Sequence, residues 1–367
     1  MIYLDHGATS YLKPPQVYGA MLSAMRQCAS VGRGGHSLAN KAAEVVHLCR
    51  LEAAKLFDAE AEKVVFTMNA THGLNIAINS LCKPGMKVAI SGFEHNAVLR
   101  PLYAMGAEIL ICGRELFSPE STVEDFARAL SRGAEMVVCT CCSNVFGYAL
   151  PIDEICALCQ RWQIPLILDA SQGAGVLGIS LKRSRASFIA MPGHKGLYGP
   201  QGTGILLCNH SGTPLIHGGT GSRSMEREMP PFLPDRLEAG THNVYGIAGL
   251  LEGLRYVRNV GTENILKRER YLIEKIAKGL SSKSNVRMYR GKGQTGVLSF
   301  TVAGHDPEEI AGELARRQVA VRAGLHCAPL AHESAGTAPM GTVRISLSER
   351  NREQDVTEFL RICKKIF

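Results

Sequence analysis

Two kinds of apolar pattern alternate along this chain. Short runs of consecutive apolar residues end near positions 67, 91, 112, 139, 169, 191 and 208. The runs predict strands at 63–67, 87–91, 108–112, 135–139, 165–169, 187–191 and 201–208, because a strand covered on both faces needs no polar alternation. Between them lie stretches with apolar residues at helical spacing, which predict helices at 42–57 and 152–162 among others. Strand and helix in alternation predict an α/β fold with a large, mostly parallel sheet flanked by helices. Beyond Asn243 the pattern changes to a long helical stretch reaching about Leu280, then a strand at 296–302, a helix and a closing segment. That change predicts a smaller α+β C-terminal domain. The expected division is a large domain over 15–245 and a small one formed by 1–14 with 246–367.

Composition narrows the class. With 367 residues, 46% hydrophobic and 20% charged, the chain can bury a large core. No apolar run approaches the roughly 20 residues that cross a bilayer. The opening Met1-Ile-Tyr-Leu-Asp-His lacks the basic and then apolar layout of a secretory signal. Twelve cysteines scattered through a long α/β chain predict reduced thiols rather than a disulfide framework. The expectation is a cytoplasmic protein with no membrane association. The net charge of +8 raises nucleic acid as a partner, but Lys182-Arg183-Ser-Arg185, Lys267-Arg-Glu-Arg270 and Lys364-Lys365 are dispersed and have no aromatic residues between them. Solvated faces are expected, and no nucleic acid.

The candidate chemistry starts at Leu166-Ile-Leu-Asp169 and Met191-Pro-Gly193-His194-Lys195. An acid at the end of a buried strand, followed 26 residues later (195 − 169) by a lysine in a Gly/His setting, suits pyridoxal 5'-phosphate: the acid pairs with the pyridine nitrogen and the lysine bonds the aldehyde. Either residue alone has a plainer reading, a helix cap or a surface lysine; together they point to the cofactor. Thr67-Met-Asn69-Ala70-Thr71 lies where a strand gives way to a helix, whose free N–H groups suit a phosphate. Cys327 sits in a Gly/His/Pro turn with Arg322 and His326 near in sequence, a setting that favours a thiolate. Arg344, in Gly341-Thr-Val-Arg344-Ile-Ser, is an arginine within a strand, a costly place unless it meets an anion such as a carboxylate. Cys156-Ala-Leu-Cys159 has the C-x-x-C spacing of metal and redox sites, but no second pair accompanies it, and packing within a helix explains it better. No metal is expected.

These residues resemble the cysteine desulfurases and the related selenocysteine lyases, within the class V aminotransferase group of fold-type I pyridoxal-phosphate enzymes. The likeness runs from Tyr3-Leu-Asp5 to Arg344, and Arg322-Ala-Gly-Leu-His326-Cys327-Ala-Pro329-Leu is similar to the cysteine turn of group II desulfurases. The resemblance implies that His95, in Glu94-His95-Asn-Ala-Val-Leu, stacks on the cofactor ring and passes protons. It implies that Asn144 and Gln172 reach the phenolic oxygen, and that Ala70 (through its backbone), Thr71 and His194 bind the phosphate. Thr241, in Glu238-Ala-Gly-Thr241-His-Asn243, is implied to reach the phosphate of a neighbouring subunit, hence a homodimer. Two positions depart from the family: Gly32 stands where a histidine is usual, and Pro192 where many relatives have a phosphate-binding serine.

The implied reaction takes L-cysteine to L-alanine. Arg344 and Asn144 hold the substrate carboxylate, Lys195 removes the Cα proton with His95 assisting, and Cys327 takes the sulfur as a persulfide for a protein acceptor. Three alternatives remain open on sequence grounds. One is selenocysteine lyase, or a desulfurase serving selenium metabolism with L-selenocysteine as substrate; another is an aminotransferase or lyase of the same class that uses no thiol; the third is a non-catalytic scaffold.

Overall fold

The structure, a computed structural model, describes residues 1–31 and 34–367; the departure at Gly32 lies outside them. The strands in chain order are β1 (Ile2–Tyr3), β2 (Val64–Thr67), β3 (Lys87–Ser91), β4 (Glu108–Cys112), β5 (Met136–Thr140), β6 (Leu166–Asp169), β7 (Phe188–Pro192), β8 (Gly204–Cys208), β9 (Val286–Tyr289), β10 (Val297–Val302), β11 (Val319–Ala320), β12 (Arg322–Gly324) and β13 (Thr342–Ser346). Seven of them form one sheet in the order β2-β8-β7-β6-β5-β3-β4. Successive residues of its central strands face opposite cores: Val137, Cys139, Leu166 and Leu168 pack on one side, Val138 and Ile167 on the other. This two-sided burial is why the strands read as unbroken apolar runs.

The pairs among β3 to β7 are parallel, whereas β8 runs antiparallel to both β7 and β2. Residues 193–203 contain no helix, so the chain turns straight back, and a parallel return would need a longer crossover. The carboxyl ends of β2, β5, β6 and β7 therefore meet at one edge, at Thr67, Thr140, Asp169 and Pro192. Open α/β sheets hold ligands in the crevice outside such an edge.

A second, antiparallel sheet runs β12-β13-β10-β9. β1 pairs in parallel with β11, and Asp5 bridges to Ser346, so the first residues join the C-terminal layer. The helical stretch expected up to Leu280 is two helices, Val244–Val260 and Thr262–Leu280. Gly261 separates them with φ 85°, a conformation that side chains disfavour. The break sends the two helices to different cores: Leu250, Leu251 and Leu254 join the large one, Leu272, Ile273 and Ile276 the small one. The expected domain limit at 245 falls within the first of these helices. Among the described residues no helix is long and apolar enough to cross a membrane.

Candidate active site

A cavity of about 100 Å³ opens at the carboxyl edge of the sheet, and its walls include Ala70, Thr71, His95, Asn144, Asp169, Gln172, Pro192, His194 and Lys195. Nine residues from several separate segments of the chain, eight of them expected site residues and the ninth the Pro192 departure, thus converge on one space. Asp169 ends β6 and is 2% exposed; its Oδ1 accepts the Ser171 N–H at 2.8 Å. Lys195 follows β7, and burial presses its amine down to about 8 against the opposing pull of Asp169. Its loop is set by two glycines in contact: a Cβ on Gly175, at φ 85°, would stand 2.2 Å from the Gly196 carbonyl, and one on Gly196 would stand 2.3 Å from the Ala174 carbonyl.

The helix Ala70–Leu81 starts on the cavity wall, capped by Asn69, which accepts the His72 N–H at 2.9 Å. Its opening turn directs backbone donors outward, as an anion requires. His95 caps the helix Asn96–Ala104, its Nδ1 accepting from Ala97 N–H at 3.0 Å. Burial lowers its pKa, so the ring is neutral with its proton on Nε2. Burial likewise pushes His194 down to about 4, and its Nδ1 lies 3.0 Å from Thr9 Oγ1.

Asn144 and Gln172 line the cavity with amide protons already engaged: Asn144 Nδ2 donates to the His326 carbonyl at 2.9 Å, and Gln172 Nε2 to the Gly7 carbonyl at 3.0 Å. Arg344 is 1% exposed. It donates through Nη1 to the Asn144 carbonyl at 3.0 Å and through Nη2 to Asp5 Oδ1 at 2.6 Å, while Nε has no partner among the described residues. A buried guanidinium with one fork tied and another donor open can receive a carboxylate.

Cys327 is exposed, and every other described cysteine is buried. Cys156 and Cys159 are in the large core, in the helix Ile152–Trp162, and burial raises both to about 12. His326 and Cys327 both adopt left-handed backbone conformations, φ 51° and 56°. Such a conformation costs a non-glycine residue on the order of 1 kcal/mol, so the turn must be held by its surroundings. Asn144 holds the His326 carbonyl, and Asn96 N–H donates to the Cys327 carbonyl at 2.8 Å. These bonds fasten the turn to residues on and beside the cavity wall. Arg322 Nη2 lies 3.9 Å from Cys327 Sγ. His326 behaves otherwise than its sequence position suggests: its ring is buried, its Nδ1 faces His332, and burial pushes it down to about 2. A neutral ring turned inward gives the sulfur no charge partner.

Thr241 lies apart from these residues. It borders a second cavity of about 150 Å³ with His72, Gly202, Glu238 and Asn243. The Arg50–Glu238 ion pair at 2.8 Å, with Phe66 N–H also donating to Glu238, pins the loop that carries it.

The chain as a whole has known relatives. The description Aminotransferase class-V matches residues 2–359. The chain belongs to the class-V aminotransferase family. Within it, the chain is 29% identical over 384 residues to a probable cysteine desulfurase of Pyrococcus abyssi, spanning 100% of this chain and 94% of that protein. It is 30% identical over 347 residues to a cysteine desulfurase of Shigella sonnei, spanning 89% and 84% respectively. The apo structure of a cysteine desulfurase from Thermococcus onnurineus superposes with a TM-score of 0.92 at 29% identity, over 100% of this chain and 94% of the other. Three elements around this cavity escape the sequence: Asp5 as the partner of Arg344, the buried His332 behind His326, and Glu94. The Glu94 carboxyl accepts the Thr140 N–H at 2.7 Å and is pushed up to about 8 by burial. Glu94 directly precedes a motif histidine, and Asp5 stands in the opening segment; neither position signals its partner.

Proposed function

We propose that this protein is a pyridoxal-phosphate-dependent cysteine desulfurase that converts L-cysteine to L-alanine and carries the sulfur as a persulfide on Cys327. The observation that carries the reading is an exposed thiol on a strained turn, tied by its backbone to Asn144 at a cavity that also holds Asp169 and Lys195. The residues present fit the cofactor. The cavity combines an acid at a strand end, a buried amine, a neutral imidazole and the donor end of a helix, which match in turn a pyridinium nitrogen, an aldehyde, a ring face and a phosphate.

In this reading Asp169 partners the ring nitrogen, Lys195 bonds the aldehyde and His95 stacks on the ring. Gln172 and Asn144 flank the phenolic oxygen. Ala70 through its N–H, Thr71 and His194 hold the phosphate, without the serine that Pro192 replaces. When bound, the cofactor supplies an electron sink for the carbon that loses its proton. Thr241 contacts the phosphate of a second copy, which makes the working unit a homodimer.

The chain's own residues do the rest. Arg344, with Asn144, takes the L-cysteine carboxylate. The Lys195 amine, kept near 8 by burial, accepts the Cα proton at neutral pH, and His95 assists through Nε2. The Cys327 thiolate attacks the substrate sulfur: the S–S bond forms, the Cβ–S bond breaks with its electron pair left on carbon, and a proton at Cβ together with the return of the Lys195 proton to Cα completes alanine. Arg322 faces the thiolate. The persulfide stands at the surface for a protein acceptor, and the thiols suit a reducing cytoplasm.

The deciding experiment exposes wild type and Cys327→Ala to L-cysteine, quantifies alanine and takes an intact-protein mass. Alanine plus one added sulfur in wild type, with both lost in the variant, is the expected outcome. Alanine at equal rates in both would make Cys327 a packing residue and the reaction a thiol-independent one.

A further inference from the structure

We infer that His332 and Thr337 are positioning residues for the Cys327 turn: a one-way chain of hydrogen bonds runs from the Thr337 hydroxyl through two neutral imidazoles to the Arg322 carbonyl and keeps the sulfur beside the Arg322 guanidinium. The inference deepens the proposed sulfur transfer and rests on it for one of two tests.

The direction of the chain follows from its far end. The Arg322 carbonyl only accepts, so His326 Nε2, 3.3 Å away, carries a hydrogen. In a neutral ring Nδ1 then accepts, and across 3.4 Å the donor is His332 Nε2–H. His332 Nδ1 is left an acceptor, and the Thr337 hydroxyl, 2.7 Å away, donates to it. The same hydroxyl lies 3.4 Å from the His332 carbonyl, but its single proton takes the shorter contact. Each ring nitrogen has one partner, and protonating His326 would set its Nδ1–H against the His332 Nε2–H. Both rings are buried, nearly coplanar and edge to edge with centroids 5.6 Å apart and planes 16° apart, and Phe146 packs against His332 at 5.8 Å.

The chain matters because the turn is strained. His326 and Cys327 are both left-handed, and Asn144 and Asn96 hold their carbonyls. The His326 ring is the tether that reaches Arg322, whose Nη2 lies 3.9 Å from Sγ. Without it the turn relaxes and the sulfur leaves its place beside the guanidinium. Neither His332 nor Thr337 lines the cavity that Lys195 borders, so both act through His326.

Native alkylation of Cys327 by iodoacetamide, followed by mass, reads this directly, since the other described cysteines are buried. Thr337→Val keeps shape and removes the donor; His332→Phe keeps a ring in place and removes both nitrogens. Each is expected to slow alkylation at neutral pH severalfold, as the sulfur leaves its place beside the Arg322 guanidinium. Thr337→Ser and His332→Gln, which keep a donor and an acceptor, restore the rate. In turnover, the Val and Phe variants lower kcat for alanine release and leave KM for L-cysteine unchanged. If wild type releases no alanine, the sulfur-transfer reading fails while the alkylation comparison still decides the positioning role. Wild-type alkylation in the Val and Phe variants, or equal slowing in the Ser and Gln variants, overturns it. Should His332→Phe fail to fold, the Thr337 pair makes the comparison alone.

Discussion

Arg344 owes its buried place to Asp5, and the two side chains are 1% and 18% exposed. Removing one member of such a pair leaves an uncompensated charge in low dielectric, which typically costs about 3 kcal/mol or more. Asp5→Asn is therefore expected to destabilise the protein by about 3 kcal/mol in urea unfolding. If the substrate carboxylate binds beside Asp5, L-alanine should raise the Tm of the variant more than that of wild type, because its carboxylate supplies the missing charge. Equal shifts would separate Asp5 from the carboxylate site. A strand arginine advertises an anion in the sequence, but which anion neutralises it before substrate arrives depends on residues 4–6 being brought beside Ser346 at the end of β13.

The loop from β7 to β8 shows how elements place a reactive group. Gly175 and Gly196 let two backbone segments touch, and no side chain fits between them. Gly196→Ala would drive a methyl into the Ala174 carbonyl at 2.3 Å and displace the adjacent Lys195. The expected result is loss of the visible absorbance of lysine-bound cofactor in the reconstituted protein. Gly219, where an added Cβ would meet nothing within 4 Å, is the control, and its alanine variant should keep that absorbance. The helix Ala70–Leu81 offers a second check: Asn69→Ala removes the cap bond to His72 N–H and should cost about 1 kcal/mol in unfolding.

Over the whole molecule, buried histidines and buried carboxyls pull stability in opposite directions. Burial lowers His326 to about 2 and His6, His194 and His332 to about 4. Their contribution is complete above 6.5 and is lost as pH falls from there through 4. Glu94 and Glu269 are raised to about 8, so their contribution is complete below 4.5 and is lost as pH rises through 8. Below pH 6.5 the buried histidines outnumber the two carboxyls, and between 6.5 and 8, before the depressed Lys13 and Lys195 enter, the carboxyls act without them, which predicts a Tm maximum near 6.5 for the cofactor-free protein within that range. Glu269→Gln should flatten the alkaline side of that maximum in a pH series of thermal unfolding, and an unchanged slope would remove Glu269 as its source. At this scale the sequence by itself determined the alternation of buried strands and helices, the acid and lysine at strand ends, and the distinctive cysteine turn, because burial on both faces and reactive residue types leave marks within a few neighbouring positions. Only the tertiary structure decided that β8 runs antiparallel, that 244–280 is two helices serving two cores, that Asp5 neutralises Arg344, and that His326 turns inward to His332 rather than out to Cys327. Each of these depends on which distant segments come together, and long-range pairing leaves no local pattern in a single chain.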